Sequence, residues 1–465
     1  MVTRYRPEIL AITLVTVALG VLGFVMNRAT YEVWGGVLLI PILSLVMLPA
    51  IRWFLRKDLT HLVRVLSFGY LLKIAGTLFR YFVFAKVYGG FADSAYYFKQ
   101  GSLIAASVRA GHRSIWSTLP SGRDIFFIIK LTGSVLTGIG PTRLGAFLVF
   151  GTFGYIGTVL LVVAACRSVP ALLQRRYAVL CVTAPTLLFW PSSLGKEAWI
   201  LLCIGGFSLG LSRILRSDRA LFGLSLAIAS GAGIGAVRIH LAVIFVAGAA
   251  VAFIQGLVLP VTGRQMMSRG RAVLLSLATV VVMAVLAYVA ARRLKVGNPN
   301  GDFLSNLDSA LNRAATMSEA GGTSFTPVNT KNPLLWPWAI FRTLTRPLPI
   351  DIKSISTLLP AAETSMFLVA LIVSRQRLYS FGRSLRSAPY LTYCLVCTLL
   401  FGLVFSSFGN LGILVRQRSL IAAFMLLALC LPEAPTRAQR AAAFWASRRG
   451  DAQDGEPESA ASRAW

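Results

Sequence analysis

The sequence predicts an all-α, polytopic integral membrane protein of about twelve transmembrane helices, within a range of eleven to thirteen, with interfacial helices on its outer face. Three observations carry that expectation. Apolar residues make up 56% of the 465 residues and charged residues only 14%, against roughly a quarter charged in an ordinary soluble domain. Mean hydropathy is +0.70. The apolar residues fall in blocks of 14 to 23 residues divided by short basic stretches, the pattern of a chain that crosses a bilayer repeatedly. A soluble fold of this size has too little interior to hide so much apolar side chain. Soluble enzymes, secreted modules and nucleic-acid binders are therefore set aside.

Taken in order, the blocks long enough to cross are 9–26, 34–50, 65–85, 143–165, 196–212, 220–237, 240–258, 272–290, 388–406 and 419–432. The shorter 177–190 and 361–374 complete twelve. Each of these covers about 21 Å at ~1.5 Å per residue, so flanking residues must finish a hydrocarbon core of roughly 30 Å. The connections at 51–64, 167–176, 213–219, 259–271 and 375–387 are each rich in Arg or Lys. With both termini cytoplasmic, every one of them falls on the cytoplasmic side. Residues 125–138 form one further apolar block; a full crossing there would invert half of the basic loops, so it is expected as a re-entrant or interfacial helix on the outer side. Within the outer segment 86–124, residues 93–109 read as an amphipathic surface helix, with Tyr96, Tyr97 and Phe98 in an aromatic belt.

This gives four regions: an N-terminal two-helix addition (1–64), a membrane core (65–258) with the outer interfacial segment 86–138, C-terminal membrane helices (259–432) with a long outer loop 291–360, and a disordered cytoplasmic tail (433–465). In the long loop, Trp336, Pro337 and Trp338 followed by Arg342 and Arg346 read either as a flap over a membrane-surface cavity or as a plain interfacial anchor. The six cysteines lie in apolar blocks without metal-site spacing and read as small buried hydrophobes. The net charge of +29 belongs mostly to the cytoplasmic connections.

The informative charges are those the topology places on the outer side or inside a span, where a charge costs several kcal/mol unless it meets a partner or a polar cavity. They are Asp93, Lys196 with Glu197, Arg238 with His240, Glu363, and Asn410 with Arg416 and Arg418; Lys73 and Arg80 lie within the third span. Positive residues are normally depleted on that side. An outer cavity lined by Arg, Lys and His suits an anion, since forked guanidinium donors match phosphate oxygens. A polyprenyl phosphate or diphosphate fits, its tail remaining in lipid. Attack of a sugar hydroxyl on a phosphate-activated carbon needs a base and cations on the leaving group. Asp93 is the candidate base. Arg238, Arg416 and Lys196 are the first candidates for the phosphate, with Arg418 and His240 behind them and Arg80, Glu197, Asn410, Arg342, Arg346 and Glu363 as further lining. Glu197 reads equally well as the ion-pair partner of Lys196.

The stretch FADSAYYFKQG, with Asp93, Tyr96 and Tyr97, resembles the first outer loop of the GT-C superfamily, membrane glycosyltransferases that use polyprenyl-linked sugar donors. FIIKLTGSVLTGIGPTRLGAF, with Lys130 and Arg143, is similar to the segment that follows it there, and RRYAVLCVTAPTLLFWPSSLGKEA to the next helices. The likeness covers roughly residues 85–215. It implies a GT-C-like fold, Asp93 as the catalytic carboxylate, a polyprenyl-linked sugar donor, a glycan or lipid acceptor, and a place in the bacterial inner membrane with the site facing outward. Three spans precede Asp93 where the family usually has one. The later RIH at 238–240 and GNLGILVRQR at 409–418 look more like exopolysaccharide or O-antigen assembly proteins, including Wzy-type polymerases. A flippase or transporter of lipid-linked sugars is the third reading. No resident cofactor is indicated. A divalent cation at Asp93 or Glu363 stays open.

Overall fold

The computed structural model describes residues 7–112, 124–258, 332–352 and 355–431, with residue 328 and isolated positions between 270 and 285. Most of the expected span 272–290, of the loop 291–331 and all of the tail 433–465 lie outside the described residues. The protein is an all-α, multi-pass membrane protein. Its helices are α1 (Pro7–Arg28), α2 (Tyr31–Leu55), α3 (Val63–Phe82), α4 (Asp93–Arg109), α5 (Asp124–Ile139), α6 (Arg143–Cys166), α7 (Ala171–Thr183), α8 (Pro185–Phe189), α9 (Lys196–Leu215), α10 (Ala220–Val237) and α11 (Ile239–Val258). Further along the chain follow α12 (Trp336–Thr345), α13 (Ile355–Val373), α14 (Arg375–Ser384), α15 (Pro389–Val404), α16 (Leu411–Arg418) and α17 (Ala422–Leu427).

Helix is the structure such apolar runs must take, because lipid offers no partner to a backbone N–H or C=O. Among the described residues seven helices are long and apolar enough to cross, or nine if each of two bent pairs is one span. The two bends account for the difference between seven and nine; of the other expected blocks, 9–26 lies in α1 and is not among the nine, and 272–290 lies mostly outside the described residues. The block 361–374 sits in a helix over Thr357–Val373 that turns by 78° into α14, and 419–432 continues α16 through a 62° bend. The block 177–190 is broken between α7 and α8 at Ala184–Pro185, because proline ends the preceding helix.

α6 and α9 form the centre, flanked by α2, α3 and α10. Their backbones approach at Gly157 and Gly205, where a Cβ on either residue would fall on the other helix's backbone; small residues at such crossings permit close packing in lipid. A chain of buried side chains continues from this centre to α11 and α15. All six cysteines are buried.

Contacts sort the helix ends into two groups. At one end Arg143 pairs with Glu32 at 3.1 Å, and the Tyr31 hydroxyl donates to the Ile139 carbonyl. At the other, Arg167 pairs with Asp218 at 2.8 Å and Arg377 donates to the Leu431 carbonyl. The last residue of α5, Ile139, meets Tyr31 in the first group, while Phe127 near its start packs on Trp199, in the first turn of α9. α5 lies beside α4, with Gly101 against Thr132 and the Arg109 guanidinium on the Leu136 and Thr137 carbonyls. α5 thus runs from the start of α9 to the start of α2. α4 differs from a simple surface helix. Tyr97 and Phe98 turn inward and are buried, and only Tyr96 of the three aromatics is exposed, because adjacent residues point about 100° apart on a helix.

Candidate functional site

Four breaks between helices supply the polar side chains. α3 ends in a widened turn over Val83–Val87, and Gly89 and Gly90, with φ of 58° and 79°, reverse the chain so that Asp93 opens α4. Only glycine takes that backbone without strain. Pro191 and the extended Gly195 stop one helix and start α9, placing Glu197 in its first turn, where the helix dipole favours a carboxylate. Arg238 is the extended residue between α10 and α11. The Asn410 side chain caps α16 by accepting from the Ile413 N–H at 3.2 Å, and so sets the direction of Arg416 and Gln417.

These breaks meet. Arg416 donates from Nη1 to Asp93 Oδ2 at 3.2 Å and from Nη2 to Glu197 Oε2 at 2.8 Å. Arg238 donates from Nη2 to Glu197 Oε1 at 3.2 Å and from Nη1 to the Gln417 side-chain oxygen. Gln417 Nε2 lies 3.5 Å from Glu197 Oε1. Glu197 is 1% exposed while Asp93 is 63% exposed. The network therefore has a sealed side, held by Glu197, and an open side at Asp93. Tyr97 packs beside it, its phenol pKa raised by burial and then by the Asp93 carboxylate.

The open side faces a cavity of about 360 Å³ whose walls include Arg80, Tyr88, Asp93, Trp190, Asn410 and Arg416. Arg80 reaches it from α3 through a cage of rings, its guanidinium carbon 4.5 Å from the centre of Phe189, 5.3 Å from Trp190 and 5.4 Å from Tyr88. The neighbouring Lys73 has a different task. It donates to the Leu187 carbonyl at 2.7 Å, the acceptor whose helical partner four residues on is Pro191, which has no N–H.

The other expected residues lie elsewhere. Arg418 is buried and donates to the carbonyls of Leu344 (2.9 Å) and Arg346 (2.6 Å) and to the Thr364 hydroxyl (2.7 Å), tying α12 to α13. Glu363 accepts from the Thr186 N–H at 3.1 Å. Glu363 and Arg418 border a second, largely apolar cavity, also of about 360 Å³, between α7, α13 and α17. The His240 ring lies against Phe405, 5.8 Å between centres. Arg346 pairs with Asp351 at 3.5 Å, and Arg342 lies on α12, which packs against α15 rather than lining the Asp93 cavity. Lys196, beside Glu197 in sequence, is not the cation that pairs with it; Arg238 and Arg416 are. Asp93 and Glu363, the two carboxylates weighed for a divalent cation, border different cavities. Gln417 and Tyr97 were not foreseen as members of this site. The signal for Gln417 was an uncharged polar residue between two arginines inside an otherwise apolar run.

Comparison with known proteins gives no match: no protein-family model, no curated protein and no solved structure is similar to this chain.

Proposed function

We propose that the protein is a membrane glycosyltransferase that takes sugar from a polyprenyl-phosphate or -diphosphate donor at the outer face of the bacterial inner membrane, for cell-surface polysaccharide or glycolipid synthesis. The observation that carries this reading is the pairing of an exposed carboxylate, Asp93, with Arg416 at the wall of a cavity that Arg80 also lines. Such a pocket offers a proton acceptor beside cations, the two things transfer from a phosphate leaving group requires. Three guanidiniums, of Arg80, Arg238 and Arg416, face two carboxylates, so these groups together keep a net positive charge. The apolar cavity one turn along α13 suits the hydrocarbon of the same ligand, since Pro360 borders one space and Glu363, one turn on, borders the other.

In this reading the chain has about twelve crossings in a GT-C-like arrangement, both termini are cytoplasmic, and the acceptor is a glycan or lipid. Polymerisation of lipid-linked repeat units would use the same groups. Transport has less support. The ionised side chains of the site gather at one end of the bundle, and the polar cavity at the opposite end has a separate lining that includes Lys57, Arg167, Arg213 and Asp218. The test is mass spectrometry of lipids that co-purify with wild type and with Asp93→Asn in nanodiscs. A polyprenyl-linked glycan that accumulates in the variant supports blocked transfer. Turnover of such a lipid by Asp93→Asn at the wild-type rate removes Asp93 as the base.

A further inference from the structure

Four of the arginines weighed for the phosphate site do not have the same standing in the structure. Arg238 is already bonded to Glu197 and Gln417, and Arg418 to two carbonyls and a hydroxyl. Arg416 has a carboxylate on each of two nitrogens. Arg80 is 8% exposed, and its buried Nε and Nη1 have no hydrogen-bond partner. Buried donors of a charged group left unmade are among the more expensive features a fold can retain. The rings of Tyr88, Phe189 and Trp190 offset part of that cost, because a cation is attracted to an aromatic face. The Tyr88 hydroxyl can engage part of the guanidinium, but Nε and Nη1 are left without an acceptor.

We infer that Arg80 is the residue that receives the anionic oxygens of the ligand, with the aromatic cage holding its guanidinium at the cavity wall. Arg238 and Glu197 then serve to position Arg416. Asp93, exposed and bound to one nitrogen of Arg416, occupies the place a second phosphate oxygen takes. Anion entry releases the Asp93 carboxylate from Arg416. The ligand class follows from the fork and the cavity volume: a phosphate or diphosphate monoester, bound by paired N–H donors. The inference rests on the lipid-linked reading only for what is attached to that phosphate.

The experiment uses the full chain in phosphatidylcholine nanodiscs and measures binding of farnesyl phosphate, inorganic diphosphate and uncharged farnesol, together with melting temperature, for wild type, Arg80→Met and Arg80→Lys. Arg80→Met is expected to weaken farnesyl phosphate and diphosphate by about tenfold or more, the equivalent of one charged hydrogen bond. It should leave farnesol unchanged and melt at or above the wild-type temperature, because it removes an unsatisfied buried charge. Arg80→Lys, which keeps charge but loses the fork, should fall between. Binding should also quench Trp190, so the fluorescence change disappears in Trp190→Phe. Wild-type affinity in a folded Arg80→Met overturns the inference, and so does a fall in melting temperature accompanied by equal loss of farnesol and farnesyl phosphate, which marks a structural residue. Diphosphate binding that depends on Arg80, with no gain from the farnesyl chain, keeps the inference and defeats the lipid-linked reading. Farnesyl phosphate bound equally by wild type and Arg80→Met does the reverse.

Discussion

Glu197→Gln is the sharpest test of how the site is held together. The substitution keeps the shape of a side chain that is 1% exposed and removes the charge shared by Arg238 and Arg416, at 3.2 and 2.8 Å. Breaking a buried ion pair from one side costs about 3–5 kcal/mol, because the partner is left uncompensated. Arg416 is 27% exposed and Arg238 16%, and Asp93 still engages one nitrogen of Arg416, so the lower end of that range, about 3 kcal/mol, is expected. The Glu32–Arg143 pair at 3.1 Å, with side chains 42% and 29% exposed, is the internal comparison; Glu32→Gln should cost roughly 0.2–1 kcal/mol. Denaturant titration of both variants in the same detergent reads the difference directly. A second variant, Glu197→Gln with Arg238→Gln, should regain part of the loss, since one orphaned charge disappears with its partner. If Glu197→Gln loses no more than Glu32→Gln, or the double variant is the sum of its parts, Glu197 is not the keystone of the network.

Three further outcomes follow from the same geometry. Asp93→Asn should abolish transfer and change stability by less than about 1 kcal/mol, as expected for a side chain 63% exposed in a pair at 3.2 Å; a melting curve run beside the lipid-product assay checks both halves. Arg418→Ala should destabilise by about 3 kcal/mol, because two carbonyls and a hydroxyl lose a charged donor. Hydrogen exchange should then quicken first in α12, with diphosphate affinity kept. Gly157→Ala should cost about 1–3 kcal/mol by forcing α6 off the Leu201 carbonyl, whereas Gly231→Ala, with its nearest neighbour at 3.6 Å, should be neutral or stabilising by up to about 1 kcal/mol; equal effects of the two would argue against the α6–α9 crossing.

Charge counting along the sequence was able to say which helix ends share a side, because that depends only on where basic loops fall between apolar runs. Asp93, Glu197, Arg238 and Arg416 are separated by up to 323 residues, yet they converge at one end of the bundle. Pairing was not legible in the same way. Lys196 and Glu197 look like partners when written side by side, but neighbours on a helix do not face one another, and the cations that reach Glu197 come from two other helix breaks. The bends in α13–α14 and α16–α17 were hidden for a related reason. Hydropathy registers the length of an apolar run and says nothing of its direction, so a helix turned by 62° or 78° reads as one straight crossing.

The same distinction orders the arginines. A sequence reading ranks them by how exposed to the outer side each should be, which put Arg238 and Arg416 first and Arg80 among the lining. Once partners are known, the ranking follows what each has left to give. Arg238 and Arg418 spend their donors on the fold, and Arg416 shares its donors between a buried and an exposed carboxylate. Arg80 has rings around it and two nitrogens without acceptors. Ring faces hold the cation in place, and even with the Tyr88 hydroxyl beside it two of its nitrogens stay without an acceptor. A site that must bind an anion and then release it gains from that combination. The guanidinium is already oriented before the ligand arrives, and no internal carboxylate has to be displaced from it.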